Sequence, residues 1–314
     1  MSNTRAKPMM EGGLLAALLV VIAVASIYIP FANIVWSLPI ALIGARHGVR
    51  YSVLTAIVGT IVIMLSVHVL QGLFLFLGGG LTGIVLGVCL HRRMSGAKTV
   101  WLTMLASGLS LLALVGATMV MMQLDAMQFV SEMQSMILEA TQEISQGMAG
   151  SDAEQAEMLA LGEEMARLYV QLLPTGFVLY ALLCTGLNLM LACAIMRRLQ
   201  MEVPHYTPFA MWRLPGWVLY LFVLSLVGNY WGHKWLSDAM VVVAQNVQML
   251  TLAALFMQGV AVLYYVKCQN TFVRRIWWIL VLLGIISPIF EIAFVVLGGI
   301  DILVNYRKID KKQV

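Results

Sequence analysis

The stretch Leu70–Arg93, LQGLFLFLGGGLTGIVLGVCLHRR, decides the fold. From Leu70 to Leu90 no side chain carries a charge, and the run stops on His91, Arg92 and Arg93. A helix needs about 20 apolar residues to cross the ~30 Å hydrocarbon core of a bilayer. A run of that length ended by a basic cluster reads as one transmembrane helix. Gly78-Gly79-Gly80 resembles a phosphate loop only at first glance. Gly79, Gly83 and Gly87 recur every four residues inside the apolar run, which predicts a small-residue face for close helix packing.

The same pattern extends both ways along the chain. Apolar runs cover Gly12–Ile29, Ile34–Ala45, Tyr51–Val67, Thr99–Met122, Leu168–Met196, Pro215–Trp231, Ala239–Val266 and Ile276–Val304. The 314 residues are 61% hydrophobic and 11% charged. Soluble domains are typically about 45–50% apolar and about 25% charged. Lipid therefore has to solvate much of this surface. The expected fold class is all-α: a polytopic transmembrane helix bundle of nine or ten spans, short ones included. The first run lacks a small-residue cleavage site and reads as a span rather than a signal peptide.

Lysine and arginine set the expected orientation. With Arg5 and Lys7 inside and the spans alternating, the clusters at 46–50, 92–98, 197–213 and 267–275 also fall inside, the positive-inside pattern of a multi-span membrane protein. Arg167 and Lys234 fall outside. The last run decides between nine and ten spans. A hairpin turning near Pro288 returns Arg307, Lys308, Lys311 and Lys312 to the cytoplasm, and the sequence favours it over one kinked helix. The net charge of +4 sits in these short clusters, so no nucleic-acid partner is expected.

Residues 123–167 interrupt the apolar pattern and divide the chain into spans at 1–122, an acidic segment, and spans at 168–314. The segment holds nine of the fifteen acidic residues. Val130, Met133, Ile137, Ala140 and Ile144 recur at helical spacing. Gly147 and Gly150 break that helix. Ser151 with Glu154 forms a capping box for a second helix, on which Met158, Leu161, Met165 and Leu168 continue the spacing. The reading is an extracytoplasmic helical hairpin that packs on itself or on a second copy, or acts as a lid or docking arm.

Soluble-enzyme motifs are missing. The chain has no GxxxxGK[ST], HExxH or GxSxG, so no catalytic set and no cofactor is expected. Cys89, Cys184, Cys193 and Cys268 lie in or beside apolar runs at no metal spacing, and read as small apolar filler. Ionisable groups at membrane depth are expensive and are candidates by default. Glu291 follows Pro288 in the last run. Asp301 lies near its inner end and is expected to pair with basic residues there. On the eighth run Asp238, Gln245, Gln248, Thr251 and Gln258 share half the helix circumference, with Asn246 off the stripe. Such a stripe has to face protein or a water-lined cavity. Interhelical hydrogen bonding and the lining of a substrate site both account for it.

Four segments resemble the YybS-like family of bacterial membrane proteins. They are Glu11-Gly12-Gly13-Leu14-Leu15-Ala16-Ala17, Pro39 to Arg46, Trp212-Arg213-Leu214-Pro215-Gly216-Trp217, and Gly299-Ile300-Asp301 followed by Asn305-Tyr306-Arg307-Lys308. The resemblance implies a polytopic inner-membrane protein. Its first helices are distantly similar to substrate-binding subunits of energy-coupling-factor vitamin transporters, which dock a coupling subunit through small residues four apart. Gly12 with Ala16 and Gly13 with Ala17 match in part, and no AxxxA follows within the first span. The resulting expectation is a non-enzymatic, transporter-subunit-like protein with a partner ATPase or other membrane partner. An envelope scaffold acting through the hairpin is the alternative.

Overall fold

The computed structural model describes residues 3–147, 152–204, 206–235 and 237–309. Among them every regular element is helical, and the chain is an all-α polytopic membrane protein. Among the described residues six helices are long and apolar enough to cross a bilayer: Lys7–Tyr28, Val49–Ser66, Val69–His91, Gly96–Met122, Leu173–Arg198 and Asp238–Gln269. The chain forms two compact units, one of residues 1–166 with 176–206 and one of residues 167–175 with 207–314.

The first unit opens with α1 (Asn3–Tyr28), a 3-10 turn at Pro30–Val35 and α2 (Ser37–His47). The run expected at Ile34–Ala45 is thus an 11-residue helix, only about 16 Å long. It tolerates that length because Ser37 and Pro39–Ala45 are all buried, so α2 is enclosed by protein. α3 (Val49–Ser66) follows. The segment Val69–His91 contains α4 (Val69–Leu75), a π-type turn at Phe76–Gly80 and α5 (Leu81–His91). The glycine stripe faces α2. A Cβ on Gly83 would stand 2.6 Å from the Ser37 carbonyl oxygen, and one on Gly87 would stand 2.9 Å from that of Ala41. Leu19, Ala23, Trp36, Ile40, Ala56 and Ile63 form one part of the core. Leu42, Leu86, Leu90, Ala192 and Met196 belong to another.

α6 (Gly96–Met122) leads to α7 (Ala126–Gly147) and α8 (Asp152–Gln171). These are the two helices of the acidic segment. They pack where Gly162 meets Thr141, with Cγ2 of Thr141 2.6 Å from a Cβ built at 162. On α7 Val130, Met133 and Ile137 are half-buried, whereas Ala140 and Ile144 are exposed. The face α8 packs is Met158, Gly162 and Ala166, so Leu161, Met165 and Leu168 of the expected stripe stand exposed. Gly147 closes α7 as expected, and Ser151 and Gly150 lie outside the described residues. α9 (Leu173–Arg198) follows α8 after Leu172.

The second unit is built from α10 (Trp217–Trp235), α11 (Asp238–Gln269), α12 (Thr271–Ile286) and α13 (Pro288–Val304). Its core holds Leu255, Val295 and Ile302, flanked by Leu214, Leu219, Phe222 and Phe256. α11 and α13 cross at glycines: a Cβ on Gly259 would collide with the Phe294 carbonyl, and one on Gly298 with that of Leu255. The last apolar run is broken at Ser287, where the axis turns by 108°. Pro288 opens α13 at a position where its missing N–H costs nothing. The run is therefore not one straight span, and its arms of 16 and 17 residues reach only about 24–26 Å each.

Candidate functional site

The amide-rich helix α11 spreads its polar side chains over several different partners. Asp238 is exposed in the first turn. Gln248 accepts a 2.9 Å hydrogen bond from Asn229 Nδ2 on α10. The Thr251 hydroxyl donates to the Val247 carbonyl of its own helix at 2.7 Å. Gln258 is 2% exposed; its Oε1 accepts from the Leu214 N–H at 3.1 Å and its Nε2 donates to Asp301 Oδ2 at 2.7 Å. Gln245 differs, because its buried Oε1 has no partner among the described residues. Glu291 is half-buried in the first turn of α13, where the helix dipole favours a carboxylate.

Asn246, off the sequence stripe, makes more contacts than any stripe member. Pro174 cannot supply an N–H to the helical ladder, and the chain breaks at Leu172 between α8 and α9. The Asn246 carboxamide fills that break. Its Oδ1 accepts from the Thr175 N–H at 3.1 Å and from the Thr175 hydroxyl at 2.8 Å, and its Nδ2 donates to the Gln171 carbonyl at 2.8 Å. The two backbone groups that would pair in an unbroken helix pair with a side-chain amide instead.

Two of the four family-like segments meet in one buried node. Arg307, with its side chain fully buried, pairs with Asp301 at 2.8 Å. It also donates at 2.6 Å to the carbonyls of Ala210 and Trp212. Arg213 donates to the Ile302 carbonyl at 3.1 Å. With Gln258 bridging Asp301 to Leu214, each guanidinium nitrogen of Arg307 and each carboxylate oxygen of Asp301 has a protein partner. The node clasps the Ala210–Leu214 loop and the residues after α13 onto α11. The other two segments meet in the first unit, where Glu11 bonds Arg46 at 3.1 Å and His47 at 2.7 Å. Gly12 also packs there, 3.1 Å from Thr55 Oγ1 as measured from a built Cβ, while Gly13 touches nothing within 4 Å.

The first unit also carries a polar interior that sequence reading missed. Asn188 on α9 is fully buried. Its Nδ2 donates to the carbonyls of Ile34 and Cys184, both at 2.8 Å. Two carbonyl acceptors fix which way the amide points. Among the described residues its Oδ1 has no donor, and three other buried groups of the first unit also lack a partner: the Trp36 indole N–H and the hydroxyls of Ser37 and Thr60. Nearby, Ser107 links Thr82 and Thr185 through hydroxyl contacts of 3.3 and 3.4 Å. A lone Asn among LNLML gives no periodic signal, so only the packing reveals it. Among the described residues no cluster of three His, Cys, Asp or Glu side chains is placed to hold a metal ion. Cys89, Cys184 and Cys193 are buried and Cys268 is exposed, all as free thiols. His68 caps α4, its Nδ1 accepting from the Leu70 N–H at 3.2 Å.

Membrane-spanning helices in number, enclosed short elements and buried polar clasps define a polytopic integral membrane protein. The chain belongs to the DUF2232 family, described as predicted membrane proteins, whose model matches residues 17–302. It is similar to the uncharacterized protein YybS of Bacillus subtilis (strain 168), with 23% identity over 98% of this chain and 99% of that protein. No solved structure matches it significantly.

Proposed function

We propose that this is a non-enzymatic inner-membrane protein of transporter-subunit type, which binds a small polar molecule within its helices and works with a partner subunit. The observation that supports this reading is the set of buried, unpartnered polar atoms around Asn188 and Trp36. A group left unmet in a dry interior costs about 1–3 kcal/mol, a cost that a polar guest reaching these atoms would remove. Trp36 offers a donor and Asn188 an acceptor, the pairing that a ligand with an amide or hydroxyl would satisfy. The unpaired Gln245 oxygen is a second such point, in the second unit. With no nucleotide-binding motif in the chain, transport would draw on a partner ATPase or an ion gradient. The amino terminus is on the cytoplasmic side in this reading.

Ser37→Ala and Trp36→Phe test it, the first by removing a hydroxyl at nearly constant volume, the second by removing the indole N–H while keeping an aromatic ring, though a smaller one. A library of small polar solutes, screened by thermal shift on the purified full chain, is expected to yield hits that both variants lose. An experimental map with no non-protein density beside Asn188, together with hits unaffected by both substitutions, refutes the proposal.

One observation favours a second reading, an envelope scaffold acting through α7 and α8. Leu161, Met165 and Met136 are exposed on helices otherwise rich in glutamate. Affinity purification separates the two. Co-purifying ATPase subunits support the transporter reading, whereas envelope proteins lost on deleting residues 123–162 support the scaffold.

A further inference from the structure

A recess of about 370 Å³ lies where α2 ends and α3 begins, beside the end of α5. It is lined by His47, Gly48, Val49, Arg50, Tyr51, Val88, His91 and Arg92, with no acidic side chain among them. That volume falls in the range of small-ligand pockets, about 300–1,000 Å³. The charged groups around it are unevenly committed. Glu11 stands behind His47 and is taken up by His47 and Arg46. Arg93 pairs with Glu202. Arg50 and Arg92 line the recess, are exposed, and have no acidic partner among the described residues.

Three local features keep this cationic concavity open. Gly48 has φ +88°, a conformation side chains rarely adopt. A Cβ there would sit 3.6 Å from His91 Nε2, so the imidazole lies against bare backbone. The Nδ1–H of His91 donates to the Ala45 carbonyl at 3.0 Å, which fixes the ring's orientation. No side chain caps α3, so its first amide groups add to the positive field in the recess.

The geometry points to a binding site for a phosphate-bearing group, held between Arg50 and Arg92 over the start of α3. Guanidinium forks suit phosphate oxygens. Tyr51 and Val88 give the recess an apolar wall that an acyl glycerol could lie along. Two sources share this chemistry, an anionic phospholipid headgroup and a soluble phosphate.

The test uses the full chain in detergent and in nanodiscs, by native mass spectrometry and by titration. The probes are phosphatidylglycerol, phosphatidylcholine and inorganic pyrophosphate. Wild type is expected to retain phosphatidylglycerol over phosphatidylcholine, and Arg50→Gln/Arg92→Gln to weaken that retention on the order of tenfold or more. Lys98→Gln, at a basic residue that does not line the recess, is expected to behave as wild type. Pyrophosphate binding that falls by the same factor in the double variant, without lipid preference, assigns the site to soluble phosphate. Should the double variant fail to fold, the single Arg92→Gln protein carries the same comparison at reduced size. The inference is overturned if neither probe distinguishes wild type from the Arg variants, or if Lys98→Gln loses as much as they do.

Discussion

Replacing Arg307 with methionine should unfasten the second unit. The guanidinium it removes is fully buried, and its partner Asp301 is 2% exposed at the side chain. After the change the carboxylate keeps only the Gln258 amide, and the carbonyls of Ala210 and Trp212 lose 2.6 Å donors. Breaking one side of a buried ion pair costs about 3–5 kcal/mol. Each orphaned carbonyl adds up to about 1–3 kcal/mol. These losses overlap, because a freed loop admits water to all three groups at once, and the pairwise sum overstates the total. The expected destabilisation is about 4 kcal/mol, a factor on the order of 10³ in the folding equilibrium. Reversible unfolding in mixed micelles, titrated with sodium dodecyl sulfate, measures it. Asp301→Leu/Arg307→Met removes the stranded charge too, and should be less harmful than the two single changes added together by about 2 kcal/mol. A single Arg307→Met variant within about 0.5 kcal/mol of wild type, or strict additivity in the double, refutes the reasoning.

Gly259→Val should prevent the α11–α13 crossing and yield little folded protein by size-exclusion chromatography, whereas Gly108→Ala, with nothing within 4 Å of the new atom, should leave the profile unchanged. Asn246→Leu should cost about 2–4 kcal/mol in the same micellar titration by stranding the Gln171 and Thr175 backbone groups; Pro174→Ala in that background, which lets the helix close so that the Thr175 N–H reaches the Gln171 carbonyl, should recover part of the loss, and no recovery counts against the repair role. Gln248→Leu should destabilise through Asn229, while Gln245→Leu should not, because its Oε1 has no partner among the described residues; equal effects would refute the Asn229–Gln248 bond as the cause. Cysteines placed at Lys98 and Gln128 should label from opposite sides of sealed vesicles, and same-side labelling overturns the orientation proposed above.

The membrane class was readable because apolarity is a bulk property: runs such as Leu70–Leu90 need no partner to be recognised. Helix packing at Gly79, Gly83 and Gly87 was readable for a related reason, since a four-residue glycine repeat has few other uses. The pairing of Asp301 with a basic residue a turn away followed from the cost of an isolated charge at depth. Partners distant in sequence were not readable. Nothing near Asn188 or Asn246 shows which carbonyl each will reach, because those carbonyls belong to Ile34 and Gln171 and are chosen by tertiary packing. The packed face of α8 was misplaced for a similar reason. Leu161, Met165 and Leu168 keep helical spacing, yet Gly162 decides which side can approach Thr141. The short α2 read as a span because hydropathy cannot separate a residue enclosed by protein from one bathed in lipid.

The amide of Asn246, lodged in the gap at Pro174, makes α11 and the α8–α9 junction a geared pair. Sliding α11 by part of a turn would pull one hydrogen-bonding arm free before any replacement came within reach. Small displacements of α11 are therefore costly, and the amide holds that helix in one register against the α8–α9 break.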